Sequence, residues 1–124
     1  MSEPHPTAST FVIHVENDHH FSLLEEEALS KNIPLIVKFS AVWCGPCRNI
    51  APVFESLAQE NTQNGIFVHV DVDQLPETTS KFKITAMPTF KILRPSEGET
   101  MVEVGDLQGA NKVKLEALID VHCS

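Results

Sequence analysis

The segment Leu35-Ile36-Val37-Lys38-Phe39 constrains the fold more than any other part of the chain. It is short, almost wholly apolar, and preceded by Pro34, which closes whatever helix comes before it. A strand of this kind has no face to give to water. It belongs at the centre of a parallel sheet, covered by helices on both sides. One residue breaks the pattern: Lys38, a cation in the middle of the run.

The flanking sequence supplies the helices and partner strands. Phe11-Val12-Ile13-His14-Val15 reads as a first strand, and Asn17-Asp18 as a turn or helix cap. From His19 to Lys31, Phe21, Leu24, Ala28 and Leu29 recur at helical spacing, with Glu25-Glu26-Glu27 turned to water. Beyond the central run, Ile50, Val53, Phe54, Leu57 and Ala58 mark a helix reaching toward Asn61, with Pro52 as a kink inside it. Gly65 separates that helix from a third strand, Ile66 to Asp73. A short helix over Glu77 to Phe82 follows, then a strand from Thr89 to Leu93, a turn at Pro95-Ser96-Glu97-Gly98 and a returning strand Met101 to Val104. Gly105 and Gly109 loosen the next segment, and Asn111 caps a last helix in which Val113, Ala117, Leu118 and Val121 repeat. The order is β-α-β-α-β-α-β-β-α. Parallel crossovers in the first half and a hairpin in the second close as a mixed five-stranded central sheet flanked by four helices, an α/β fold. With 124 residues the chain holds one domain, taken as 9–124 behind a short polar tail over 1–8.

Directly after the central strand comes Trp43-Cys44-Gly45-Pro46-Cys47. A thiol at a helix N-terminus meets unpaired N–H groups and the positive end of the helix dipole, both of which favour thiolate. Cys47 follows about one helical turn later, so its sulfur can reach Cys44 and the pair can cycle between dithiol and disulfide. Pro46 presets the first turn, Gly45 lets a partner chain approach, and Trp43 adds an apolar shelf. Two other readings stand beside this one. A C-x-x-C is half a zinc site, but no second ligand pair has suitable spacing and His19-His20 is a poor candidate. Two cysteines that simply pack would leave the surrounding Trp, Gly and Pro unexplained.

The stretch from Val37 to Cys47 resembles the active-site strand and turn of the thioredoxin family. Pro52, Val70-Asp71-Val72-Asp73, Met87-Pro88-Thr89-Phe90 and Asn111 to Leu115 match further family landmarks, over about residues 8–122. The resemblance implies a protein-disulfide reductase acting by dithiol–disulfide exchange and maintaining cellular redox balance. Cys44 would be the nucleophile and Cys47 the resolving cysteine. Pro88 would be a cis-proline beside the active site, with Met87 offering backbone pairing to an extended substrate. Trp43, Gly45, Pro46, Met87, Pro88 and Gly105 would line the substrate groove. Gly45-Pro46 resembles the reducing members of the fold, whereas oxidising and isomerising members carry a His before the second cysteine. No bound cofactor is implied; NADPH would act only through a partner thioredoxin reductase. A different class of function, a binding or regulatory module whose dithiol form docks a partner, shares the same residues.

The chain departs from the family pattern at several points. Lys38 stands where the family has a buried Asp under the second cysteine. It acts either as a neutral amine in proton transfer, or as a cation stabilising thiolate, or as a packed stem with its head in water. His69 is expected on the same sheet face, either as an alternative proton acceptor or as a satisfied core histidine. Ser40 replaces a common aromatic residue, leaving Trp43 as the one tryptophan. Cys123, near what reads as a frayed end, is either a spectator or a regulatory thiol that joins two otherwise monomeric chains on oxidation.

Charge and hydropathy narrow the partners. Nine Lys+Arg against seventeen Asp+Glu give a net charge of −8. Such a surface repels phosphate backbones and anionic lipid, so nucleic acid and membranes are not expected partners. The opening residues Met1 to Pro6 lack the basic and apolar regions of a signal peptide, so the expected location is the cytoplasm, or a compartment reached by a signal of another kind.

Overall fold

The structure is a computed structural model that describes residues 11–97 and 99–123. The polar tail expected over 1–8 lies outside the described residues. Among them, strands β1 (Val12–His14), β2 (Leu35–Ser40), β3 (Ile66–Asp71), β4 (Thr89–Pro95) and β5 (Met101–Gln108) form one sheet in the order β1-β3-β2-β4-β5. Helices α1 (Asp18–Lys31), α2 (Gly45–Glu60), α3 (Pro76–Lys81) and α4 (Lys112–Cys123) lie in the connections and at the C-terminal end. β1, β3 and β2 run parallel, while β4 and β5 are antiparallel to their neighbours. The expected fold is the observed one.

β2 is central and every one of its residues is buried, Lys38 included. Its side chains alternate between two cores, as strand geometry requires. Leu35, Val37 and Phe39 join Phe21, Leu24 and Ala28 of α1 and Leu75. Ile36 joins Ile50, Phe54 and Leu57 of α2 and Leu115 and Ile119 of α4. Lys38 and Ser40 follow Ile36 on that second face. Asn17 starts α1, its Oδ1 accepting the His20 N–H at 2.8 Å, and Asn32 ends it in the left-handed conformation at φ 56°.

Two expectations need correction. The last helix turns Leu115, Ile119 and Cys123 inward; of the expected stripe only Leu118 packs against that core, while Val113 and Val121 are each 72% exposed. Both stripes have helical spacing, and the larger Leu and Ile bury more apolar area than Val and Ala. The final strand runs on through Gly105 to Gln108 rather than ending at Val104. Its register shifts at Ile92/Leu93, where Val104 is the extra residue of a bulge. Gly105 sits inside the strand because the space above it is taken: an added Cβ would meet Ile92 Cγ1 at 2.9 Å and Leu118 Cδ1 at 3.1 Å.

Candidate active site

β2 ends at Ser40, and five residues later α2 begins at Gly45. Cys44 is the N-cap of that helix, with extended backbone at φ −93° and ψ 110°. Its Sγ accepts the backbone N–H of Cys47 at 3.2 Å, satisfying one of the donors that a helix start leaves open. Pro46 lies in the first turn, where it removes no needed donor. Cys44 and Cys47 form a disulfide, with Cα atoms 5.3 Å apart. Both are buried, together with Ala41, against Val72 and Met87. Cys47 begins the inward stripe of α2 that continues through Ile50 and Phe54.

The approach to the pair is apolar and open. Val42 and Trp43 are 75% and 64% exposed. The Trp43 indole N–H donates to Asp73 Oδ2 at 3.1 Å, which holds an exposed ring in one orientation. Arg48 donates to the Val42 carbonyl at 2.8 Å and ties down the loop before the disulfide. An added Cβ at Gly45 would meet only the Arg48 side chain, at 3.9 Å, so a partner has room to come close. Across the cleft, the Met87–Pro88 peptide is cis. The Met87 carbonyl lies 3.8 Å from Cys44 Sγ.

The structure corrects the choice of glycine. Gly105 pairs with Ile92, well along the sheet from Pro88, and faces Leu118 of α4. Gly109 borders the cleft instead: its N–H donates to the Pro88 carbonyl at 2.8 Å, and its φ of +100° is one that residues with a Cβ rarely adopt. β5 runs on to Gln108, which pairs with Thr89, so the residue level with Pro88 is Gly109; a strand expected to stop at Val104 puts Gly105 there instead, and the bulge accounts for one position of the difference.

The departures from the pattern gather on the sheet face that α2 covers. Lys38 pairs in register with His69, as expected for one shared face. Burial pushes Lys38 down to about 8. Burial, followed by the charges of Lys38 and His14, holds His69 down to about 4. His69 also hydrogen-bonds to Ser40 Oγ and lies 3.2 Å from His14, ring nitrogen to ring nitrogen. Neither partner stands out in the sequence, since cross-strand register decides both. Cys123 is not at a frayed end: it is 2% exposed, and burial raises its thiol to about 11. Among the described residues no cluster of His, Cys, Asp or Glu could hold a metal ion, and no helix is long and apolar enough to cross a membrane.

Comparison with known proteins agrees with this geometry. The Thioredoxin family profile matches residues 12–121. The channel catfish (Ictalurus punctatus) thioredoxin is 37% identical over 112 residues, covering 90% of this chain and 98% of that protein. The H-type thioredoxin of Chlamydomonas reinhardtii is 42% identical over 91 residues, covering 73% of this chain and 76% of the relative. The crystal structure of the thioredoxin NaTrxh from Nicotiana alata superposes with a TM-score of 0.85 at 30% identity, covering 98% of this chain and all of that one. A cysteine pair at bonding distance on a helix N-terminus, in a fold shared with proteins that exchange thiols and disulfides, makes this a thiol-disulfide oxidoreductase, and the chain belongs to the thioredoxin family.

Proposed function

We propose that the chain reduces protein disulfides with Cys44 as the attacking thiolate and Cys47 as the resolving one. The observation that carries these roles is the placement of the two sulfurs. Cys44 caps α2 beside the exposed Trp43, whereas Cys47 starts the helix face that turns into the core. In the reduced protein, the Cys44 thiolate attacks one sulfur of a substrate disulfide and expels the other as a thiolate. Cys47 then attacks Cys44 Sγ, forming the intramolecular disulfide and releasing the second substrate thiolate. Two electrons pass to the substrate.

Trp43, Gly45, Pro46, Met87, Pro88 and Gly109 line the docking groove in this reading. The Met87 backbone pairs with an extended substrate segment. Burial pushes Lys38 down to about 8, and the neutral-amine form that this makes accessible accepts the proton of Cys47, with His69 beside it on the neighbouring strand. The chain works as one monomeric domain in the cytoplasm, re-reduced by a thioredoxin reductase that uses NADPH. Gly45-Pro46 favours reduction of substrates over their oxidation. Insulin reduction followed by turbidity tests the assignment. Wild type turns over with dithiothreitol as electron source, Cys44→Ser is silent, and Cys47→Ser accumulates a mixed disulfide on Cys44. A Cys44→Ser variant that retains turnover refutes these two roles.

A further inference from the structure

Three polar side chains form a line across the α2 side of the sheet. His14, on edge strand β1, is exposed. Its Nδ1 lies 3.2 Å from Nδ1 of His69 on β3. The other ring nitrogen of His69 is hydrogen-bonded to Oγ of Ser40 on β2, a residue only 3% exposed. Register places His14 opposite His69 and His69 opposite Lys38. Lys38 precedes Ser40 by two positions, so both point to one face. α2 returns from the end of β2 toward the start of β3 and so runs antiparallel to both, setting its first turn, with Cys47, over that same end of β2.

The line has two internally consistent hydrogen-bond directions. A neutral imidazole carries one N–H. With the proton on Nδ1, His69 donates to His14 and accepts from the Ser40 hydroxyl. With it on Nε2, His69 donates to Ser40 and accepts from His14. The two states interconvert when protons shift in the same direction at every link, which is what a conducting track needs. The other titratable groups that register sets beside His69 are Lys38 on β2 and Asp71 two residues along β3; the inward residues of α2 beyond Cys47, Ile50 and Phe54, are apolar. Burial, the largest cause, holds His69 neutral, as the track requires.

We propose that Ser40, His69 and His14 carry the proton of Cys47, once Lys38 has taken it, out to water at the edge of the sheet. The proposal rests on the reductase reading above. The Cys47 thiol gives its proton to the Lys38 amine, leaving a thiolate and an ammonium. The ammonium passes a proton to Ser40 Oγ as the Ser40 hydroxyl proton moves to His69 Nε2. The Nδ1 proton of His69 moves to His14, and His14 releases its Nε2 proton to water. Lys38 returns to the neutral amine and no electron moves. The thiolate that remains attacks Cys44 Sγ.

The test isolates the resolving step. Reduced protein reacts with dithionitrobenzoate at Cys44, and attack by Cys47 expels a second thionitrobenzoate, whose release is followed by stopped flow from about pH 6 to about pH 9. His14→Ala and Ser40→Ala are expected to slow the second release by about tenfold near pH 7, less than the roughly 100-fold or more of a directly acting acid or base. The deficit should vanish at the alkaline end, where hydroxide takes the proton. Added imidazole should restore His14→Ala and leave wild type unchanged. Profiles that superimpose on wild type overturn the track. So does a uniform slowing at all pH values without an imidazole response, which marks a structural effect. His14 is exposed, so its variant folds; circular dichroism checks Ser40→Ala. Insulin turnover by wild type separates the two levels: its absence sinks the reductase reading, while a normal value with unaffected variants sinks only the track.

Discussion

Replacing Lys38 with Met should stabilise the protein, in a way that fades as pH rises. Lys38 is 5% exposed in the middle of the central strand, and burial lowers its pKa from 10.5 to about 8. Below pH 8 the folded chain must hold a buried ammonium that the unfolded chain keeps in water. At about 1.4 kcal/mol per pH unit, that costs about 3 kcal/mol at pH 7. Between about 8 and 10.5 the unfolded chain holds a proton that the folded chain has released, so stability rises with pH. Above that window both states are neutral and the penalty is gone. Met has a similar stem and no amine. Lys38→Met should therefore gain up to about 3 kcal/mol at pH 7, which at an m-value of about 2 kcal/mol/M moves the urea midpoint up by roughly 1.5 M. The comparison is made by urea denaturation of the oxidised proteins, so that Cys44 and Cys47 do not titrate. Equal midpoints at pH 7, or a difference that fails to shrink toward pH 10.5, would refute the burial argument. The same variant should slow the resolving step, so stability and turnover move in opposite directions.

Other expectations follow from individual contacts. Burial depresses His69 to about 4, so wild type should lose stability as pH falls from about 6.5 through 4, and His69→Gln should flatten that part of the curve in acid-titration fluorescence. Ile119→Ala opens a cavity in the core under α4 and should cost about 2–5 kcal/mol in thermal or urea unfolding, while Val121→Ala should stay within about 0.5 kcal/mol. Gly105→Ala presses a methyl group on Ile92 and Leu118 and should destabilise by about 1–3 kcal/mol with the rate of Cys44 attack unchanged. In the native protein Cys123 should resist iodoacetamide that modifies it promptly in urea, as judged by mass spectrometry; prompt native labelling would mean that the last turn of α4 opens.

The architecture is legible in the sequence because its signals are redundant. An all-apolar strand, alternating helical stripes and a proline-marked cleft point to one arrangement, and the pair Cys44-Cys47 is placed by nearest-neighbour geometry alone. What escapes depends on register. Strand alternation puts Lys38 and His69 on one face, yet the contacts of His69 with His14 and Ser40 follow from how three strands slide against one another. Gly105 reads as the end of the returning strand, yet pairing with β4 carries that strand on to Gln108, so the glycine bonded to Pro88 is Gly109. The buried face of α4 is ambiguous in the same way, because valine and leucine stripes share one period and only the core decides between them.

The sulfur that caps α2 gives the helix a stake in the redox state. As a thiolate, Cys44 is a stronger hydrogen-bond acceptor for the Cys47 N–H, and a better match for the positive end of the helix dipole, than as half of a disulfide. The first turn of α2 is thus firmer when the protein is charged with electrons. Thermodynamic reciprocity gives the converse: any contact that tightens this turn in the dithiol form raises the reduction potential and weakens the chain as a donor. Sequence changes at Gly45, Pro46 and Arg48 therefore adjust driving force without touching either cysteine, and a family can set different potentials on one fold by editing the start of a single helix.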